Sequence, residues 1–193
     1  MSDAELLQKL AAIVGADNIE ADDQTLDDYS RDAVGWARIH PDAGIPTLPD
    51  LVVRPASTQE IVDIVKIAKR TKTPIVPYGS GTGVMGAATS LHSGIVLDMG
   101  RMSAILRISQ EDRTATVQPG VVLGDLDTAL NEFDLFLGHD PWSQPIASVG
   151  GAISTNGLGY LGSGYGGMGD QVLGMEVVTP NGDILRTKAV PKA

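Results

Sequence analysis

Cysteine is absent from the 193-residue sequence, which excludes disulfides, thiolate metal sites and cysteine nucleophiles. Positive charge is scarce: 14 Lys and Arg stand against 24 Asp and Glu, for a formal charge of −10. A chain this acidic repels a phosphate backbone at long range, so nucleic acid is not an expected partner. Any anion it does hold must be gripped locally, by backbone N–H groups or a few chosen side chains. Histidine is sparse too. His40, His92 and His139 are scattered, with no acidic partner at helical or strand spacing, so no metal site is expected. Each is read as a loop histidine satisfied by backbone groups. No apolar run approaches the ~20 residues that cross a bilayer, so no transmembrane segment is expected. The opening "MSDAELLQKL" has no basic or apolar leader region, and a cytoplasmic location is the resulting expectation.

Hydrophobic residues make up 42% of the chain and charged residues 20%, a balance that supports a packed core rather than disorder. Leu6, Leu7, Leu10, Ile13 and Val14 recur at helical spacing behind a Ser2–Glu5 capping box, and Gly15 ends that helix. Asp22 to Pro49 has no clear period and is read as an arm, anchored on the core by Tyr29 and Trp36. From Asp50 a β-α-β unit follows. "DLVVRP" is a strand, and "STQEIVDIVKIAKR" is a helix capped by Ser57 with Glu60 reciprocating. Its apolar face is Ile61, Ile64, Val65 and Ala68, and "PIVPY" is the second strand. Beyond it, "GIVLDM" predicts a strand and "AILRISQEDRTATVQP" a hairpin. "LGDLDTALNEFD" predicts an amphipathic helix carrying Leu123, Leu126, Ala129, Leu130 and Phe133. "MEVVTPNGDILRT" predicts a second hairpin, turned by Asn181-Gly182 in type I′ geometry.

The fold class is therefore α+β. Residues 1–49 form a helix and arm, and 50–193 the main domain. Its subdomains run from about 50 to 100, a small βαβ unit, and from 101 to 193, larger and mainly antiparallel.

The stretch "YGSGTGVMG" puts glycine at 79, 81, 83 and 86, and the last three spell G-x-G-x-x-G. A Rossmann loop needs a crossover helix before the next parallel strand. Only Ala87 to Gly94 separates this loop from "IVLDM", too few for a crossover of a dozen or so residues. Asp98, at nearly the position of the ribose-binding acid, is thus a decoy. A Walker A loop is excluded as well, because no Lys-Ser or Lys-Thr follows Gly86. Two readings remain. Alternating glycines with positive φ at 79, 81 and 83 turn neighbouring N–H groups into an anion nest, with Ser80 and Thr82 adding hydroxyls. Alternatively, the stretch is a strand-end turn that binds nothing.

Ser148 to Gly174 holds ten of the 23 glycines and fits neither helical nor strand period. Ordering so much glycine is entropically expensive, which favours a backbone that must approach a large flat ligand. Ser143, Ser148, Ser154, Thr155 and Asn156 offer neutral hydrogen-bonding groups for the polar edge of a heteroaromatic ring.

"PIVPYGSGTGVMG" and "HDPWSQPIASVGGAISTNGLGYLGSGYGGMGDQVLGMEVVTPNGDIL" together resemble the FAD-binding domain of the FAD-linked oxidases, the vanillyl-alcohol oxidase and p-cresol methylhydroxylase group. The similarity runs from roughly Asp50 to Thr187 and is strongest to the D-lactate/glycolate dehydrogenase branch and to the alkylglycerone-phosphate synthases. It implies a PCMH-type domain of two α+β subdomains. It also implies a pyrophosphate held by Pro77, Tyr78, Gly79, Ser80, Gly81, Thr82 and Gly83. Pro141, Trp142, Ser143, Ser148, Gly150 and Gly151 would flank the flavin, and Ser154, Thr155, Asn156 and Gly157 would lie beside the isoalloxazine. Some relatives tether the flavin through a first-loop histidine. Neither histidine nor cysteine lies between Gly79 and Gly86, so the FAD is expected to be non-covalent.

The implied reaction is oxidation of a small hydroxy-acid substrate by hydride transfer to flavin N5, with ether-lipid synthesis as the alternative. The family's domain continues through an E-G-T-L-G-type segment and a separate substrate-binding domain. This chain stops at "TKAVPKA", so it is expected to work with a missing C-terminal substrate domain or a partner subunit, and no catalytic side chain is assigned. A third reading is a truncated product without activity of its own, which binds FAD weakly or not at all.

Overall fold

The computed structural model describes residues 3–34 and 48–188. The chain divides into two compact units, Met1–Arg101 with Val177–Leu185, and Met102–Glu176 with Arg186–Ala193. Among the described residues, no helix is long and apolar enough to cross a membrane.

The first unit opens with α1 (Asp3–Val14), β1 (Ile19–Glu20) and α2 (Asp23–Asp28). These are followed by β2 (Leu51–Val53), α3 (Thr58–Thr71), β3 (Ile75–Tyr78) and β4 (Ile95–Asp98). The sheet order is β1-β2-β4-β3. β4 runs parallel to both β2 and β3, and β1 is antiparallel to β2 at the edge. β4 takes the central slot because all four of its residues are buried, as a continuous apolar run in a parallel sheet demands. α3 crosses from β2 to β3 over that slot, and the chain returns from β3 to β4 through a loop with no helix. Leu10 and Val14 of α1, Ile64 and Ala68 of α3, and Val53, Ile95 and Leu97 of the sheet close one core.

α3 is capped as its sequence predicts, with Ser57 Oγ accepting from the Glu60 amide at 3.2 Å. The reciprocal bond falls one residue early, from Ala56 N to the Glu60 carboxylate at 2.8 Å. The buried face is Val62, Ile64, Ile67 and Ala68, rotated slightly from the expected set. Val62 is covered because the loop at Gly182 lies against Val62 and Lys66. The arm also differs from expectation. It begins with α2, capped by Asp22, whose carboxylate accepts from Thr25 N at 3.1 Å. Tyr29 anchors it, donating to Asp98 Oδ2 at 2.7 Å. Ser2, Trp36 and His40 lie outside the described residues.

In the second unit, β5 (Ile105–Ser109) and β6 (Thr114–Val117) form an antiparallel hairpin, followed by α4 (Leu123–Asn131), α5 (Val149–Thr155) and the single turn α6 (Gly162–Tyr165). Val121, Leu123, Leu126 and Leu130 pack with Ala147, Val149, Ala152 and Met168. α4 ends earlier than expected. Asp134 takes φ +55°, which turns the chain so that Leu135 packs on the core while Phe133 stays exposed.

β7 (Glu176–Val178) and β8 (Ile184–Arg186) form the last hairpin, but its turn is not type I′. Gly182 has φ +79° while Asn181 is not among the positive-φ residues. Thr179 O accepts from Gly182 N at 2.8 Å, and Thr179 N donates to Asp183 O at 2.9 Å. Pro180 sets the second position of an ordinary turn, and Gly182 supplies the left-handed bulge after it.

Candidate functional site

β3 delivers Tyr78 to the edge of the parallel sheet, and the glycine loop begins there. Positive φ occurs at Gly81 (+64°) and Gly86 (+77°). Gly79 and Gly83 are not among the positive-φ residues, so the expected alternating nest does not form. The loop bends at two points instead. At Gly81 glycine is required twice over, by its dihedral and because a Cβ there would collide with the Tyr78 hydroxyl folded over it. The Tyr78 ring is itself held by Tyr29, with centroids 4.7 Å apart. Among the described residues, none accepts a hydrogen bond from the amides of Gly81, Thr82 or Gly83. Ser80 is exposed and Thr82 half-buried beside them. Unclaimed N–H groups on a bent, glycine-rich segment are the donors an anion needs in an acidic protein.

Asp98 is not available to a ribose. It is buried, and Oδ2 accepts from Tyr29 OH and from Arg54 Nε at 2.9 Å, while Oδ1 accepts from Gly100 N at 2.8 Å. The sequence reading missed one residue at this loop. Asp32, only 5% exposed, accepts from Gly86 N through Oδ2 at 2.5 Å and from Val34 N through Oδ1 at 3.2 Å. Its sequence context, inside an aperiodic arm, gave no local sign of a contact 54 residues away.

In the second unit, the segment read as aperiodic contains α5. Ser148 is its N-cap, buried, accepting from Gly151 N at 3.3 Å. Gly150 lies so close to Pro119 that a side chain would strike its backbone. Ser154 and Thr155 donate back to helix carbonyls, Gly150 O at 2.7 Å and Gly151 O at 3.1 Å. Their hydroxyl hydrogens are therefore spent within the helix, and the exposed oxygens remain as acceptors. Asn156 ends the helix at φ 48°, and its Oδ1 holds Gly169 N at 2.9 Å. Pro141, Trp142 and Ser143 sit in tight turns closed by Gln144 N to Pro141 O (2.8 Å) and Ala147 N to Ser143 O (2.8 Å). These turns push Trp142 outward to 70% exposure, an indole free to stack.

His139 departs from its expected role. It is 1% exposed, and Nδ1 has no hydrogen-bond partner among the described residues. The ring packs on Gly157, where a Cβ would come within 3.2 Å of Cε1. Burial lowers its pKa from 6.5, opposed by the nearby Asp140 carboxylate. The folded state therefore binds fewer protons than the unfolded chain just below neutrality, and stability is lost as pH falls from the unfolded value through the folded one. His139→Gln is expected to make the urea midpoint decline less as pH falls from neutral to the acid side of 6.5. Parallel wild-type and variant curves across that window would count against a buried neutral imidazole.

A lysine-free glycine loop thus lies between two parallel strands of the first unit, and the second unit contains a long, ordered glycine-rich segment. Residues 49–188 match the family described as "FAD binding domain", and the chain belongs to that family. It is 44% identical over 141 residues to the glycolate oxidase subunit GlcD of Bacillus subtilis, covering 73% of this chain and 30% of that protein. It is 39% identical over 140 residues to the mitochondrial D-lactate dehydrogenase [cytochrome] of Arabidopsis thaliana, covering 72% and 24%.

Among solved structures, an alkyldihydroxyacetonephosphate synthase superposes with TM-score 0.86 at 26% identity, over 97% of this chain and 38% of that one. p-Cresol methylhydroxylase gives 0.77 at 27%, over 95% and 35%. The PCMH-type α+β fold and FAD as cofactor follow. The chain spans less than a third of the length of those two curated relatives.

Proposed function

We propose that this chain is the FAD-binding portion of a flavin-dependent oxidoreductase that oxidises a 2-hydroxy acid of the D-lactate or glycolate type. The observation that carries the reading is the bent loop at Gly81–Gly83, whose amides have no acceptor among the described residues, supported by the 44% identity to a glycolate oxidase subunit. Those amides, with Ser80, Thr82 and the Pro77–Gly79 backbone leading into them, would hold the diphosphate. In the second unit Pro141, Trp142, Ser143, Ser148, Gly150, Gly151 and Ser154 to Gly157 would hold the flavin end. Trp142 would offer a stacking face, and Ser154 and Thr155 acceptor oxygens. No residue in the Gly79–Gly86 loop could tether the cofactor covalently, so retention depends on these contacts. When bound, FAD supplies a ring that accepts a hydride. The chain's part is to bind and orient it. Gripping and deprotonating the substrate is assigned to a further domain or partner subunit.

Purified protein titrated with FAD tests this directly. At a hundredfold excess over the dissociation constant, binding adds about 2.7 kcal/mol, visible as a raised melting temperature with retained yellow colour after gel filtration. A colourless protein with an unmoved melting temperature would sink the reading and leave a chain without cofactor binding of its own.

A second reading, an ether-lipid enzyme, is favoured by the TM-score of 0.86 to alkyldihydroxyacetonephosphate synthase. D-lactate, glycolate and an alkyldihydroxyacetone phosphate, offered one at a time anaerobically to FAD-loaded protein supplied with a substrate-binding domain, separate the two. Net bleaching under a hydroxy acid supports the first reading. Turnover of the lipid without net bleaching supports the second.

A further inference from the structure

We propose that Asp32 is a positioning residue for the glycine loop: its buried carboxylate fixes the bend of Ser80–Gly86 and so decides which amides are left for a diphosphate. The inference rests on the FAD reading of that loop and names a residue of the N-terminal arm as part of its support.

The described part of the arm grips the loop at both ends, through Asp32 and Ala33 at one and Tyr29 and Arg31 at the other. At the far end, Asp32 Oδ2 takes the Gly86 amide at 2.5 Å, and Ala33 N donates to Gly83 O at 3.0 Å. Two adjacent arm residues thus bind the loop in opposite senses, one accepting and one donating. The other carboxylate oxygen takes Val34 N at 3.2 Å, which holds the arm's own turn in register with the loop. At the near end, the Tyr78 ring packs against Tyr29 at a tilt of 53°, and its hydroxyl reaches Arg31 O at 3.5 Å. Arg31 is fixed in turn by Asp27, at 2.8 Å from both its carbonyl and its carboxylate. Between these anchor points lie Gly81, Thr82 and Gly83, whose amides have no acceptor among the described residues.

A carboxylate is an odd neighbour for a loop meant to take an anion, since like charges repel. Its presence is explained by geometry. Two oxygens are needed to accept from two amides in different directions, and a charge-assisted bond to Gly86 is short and strong enough to hold a glycine-rich segment that would otherwise keep its conformational freedom. Being 5% exposed, Asp32 reaches the loop from inside the unit, so its acceptor role does not compete for the open amides.

The test compares three variants, with FAD affinity read by fluorescence quenching and the Gly86 amide by hydrogen exchange. Asp32→Ala is expected to weaken FAD about tenfold or more and to speed Gly86 exchange, the scale of a lost hydrogen bond to a charged group. Asp32→Asn keeps one acceptor oxygen for the Gly86 amide but gives up the second acceptor and the charge, so its FAD affinity should fall between those of Asp32→Ala and wild type. Asp22→Ala strips the cap of α2 without touching the loop, and should lower the melting temperature while leaving FAD affinity unchanged.

Wild-type affinity in Asp32→Ala with Gly86 still protected overturns the proposal. So does Asp22→Ala weakening FAD as much as Asp32→Ala, because loss of the arm's fold would then suffice. If wild-type protein takes up no FAD, the flavin reading has failed, and Gly86 exchange alone decides the role of Asp32. Protection lost in Asp32→Ala and kept in Asp32→Asn upholds it, and unchanged protection overturns it.

Discussion

Gly81→Asp is expected to abolish FAD retention. Three effects act together. The residue sits at φ +64°, where any side chain adds strain, although aspartate tolerates this region better than most residues. A Cβ would also meet the Tyr78 hydroxyl, and the Tyr78 ring is packed against Tyr29 with centroids 4.7 Å apart. Finally, the carboxylate would add negative charge beside the proposed diphosphate. At ~4 Å and an effective dielectric of 20, that repulsion is about 4 kcal/mol, or roughly a thousandfold in affinity. Gly81→Ala separates the terms, since it keeps the strain and the collision but adds no charge, and it should cost about tenfold. The measurement is flavin content after gel filtration, with far-UV circular dichroism to check that each variant folds. Flavin content equal to wild type in Gly81→Asp would refute the diphosphate reading of this loop.

The legible parts of this fold are those whose signal is local and repeated. α3 announces itself through Ser57, Glu60 and four turns of apolar spacing, and β4 through four consecutive buried residues. The absence of a crossover helix after Gly86 also follows from counting residues, and with it goes the NAD reading. Elements without a period were illegible. β1 has two residues and exists only because β2 offers it an edge, pairing Ile19 with Val53. α5 carries two glycines in its first turn, which hides its period, and only Ser148 as a cap marks its start.

The second hairpin shows a different failure. Asn-Gly is a strong turn signal, but the Pro180 before it shifts the turn back by one residue, a competition the dipeptide alone does not reveal. At the site, the glycines could be found from sequence and the supports could not. Asp32 and His139 act through contacts that only the folded chain creates. The hydroxyls of Ser154 and Thr155, read as hydrogen-bonding groups for the edge of a ring, have their hydrogens claimed first by their own helix, a competition common to serine and threonine within helices.

Arg54→Ala is expected to destabilise the first unit strongly. Arg54 lies just past β2 and ties three segments together. It meets Glu20 through Nη1 at 2.6 Å and Nη2 at 2.9 Å, Asp98 through Nε at 2.9 Å, and Tyr29 OH at 3.2 Å. The hydrogen bonds to Glu20 raise the arginine's pKa and lower that of the glutamate, the mark of a pair that favours both charges. Removing the guanidinium leaves Asp98, buried in the sheet, with Tyr29 and Gly100 as its donors among the described residues.

Breaking a fully buried pair costs about 3–5 kcal/mol. Arg54 and Glu20 are partly exposed, with side chains at 23% and 35%, so water recovers some of this, and about 2–3 kcal/mol is expected. Arg54→Lys keeps a charge but not the planar fork, and should recover about half of the loss. The acid limb carries an independent signature. Glu20 has a folded pKa depressed below its usual 4.5, so its contribution is present above that value and disappears as pH falls through the folded one. In Arg54→Ala this dependence should shrink to what the Thr25 hydrogen bond sustains, and the two stability curves should converge in acid. Urea midpoints measured from neutral pH downward test both statements. A neutral-pH midpoint equal to wild type would mean that solvent replaces the guanidinium at no cost, and the three-segment tie would then hold nothing together.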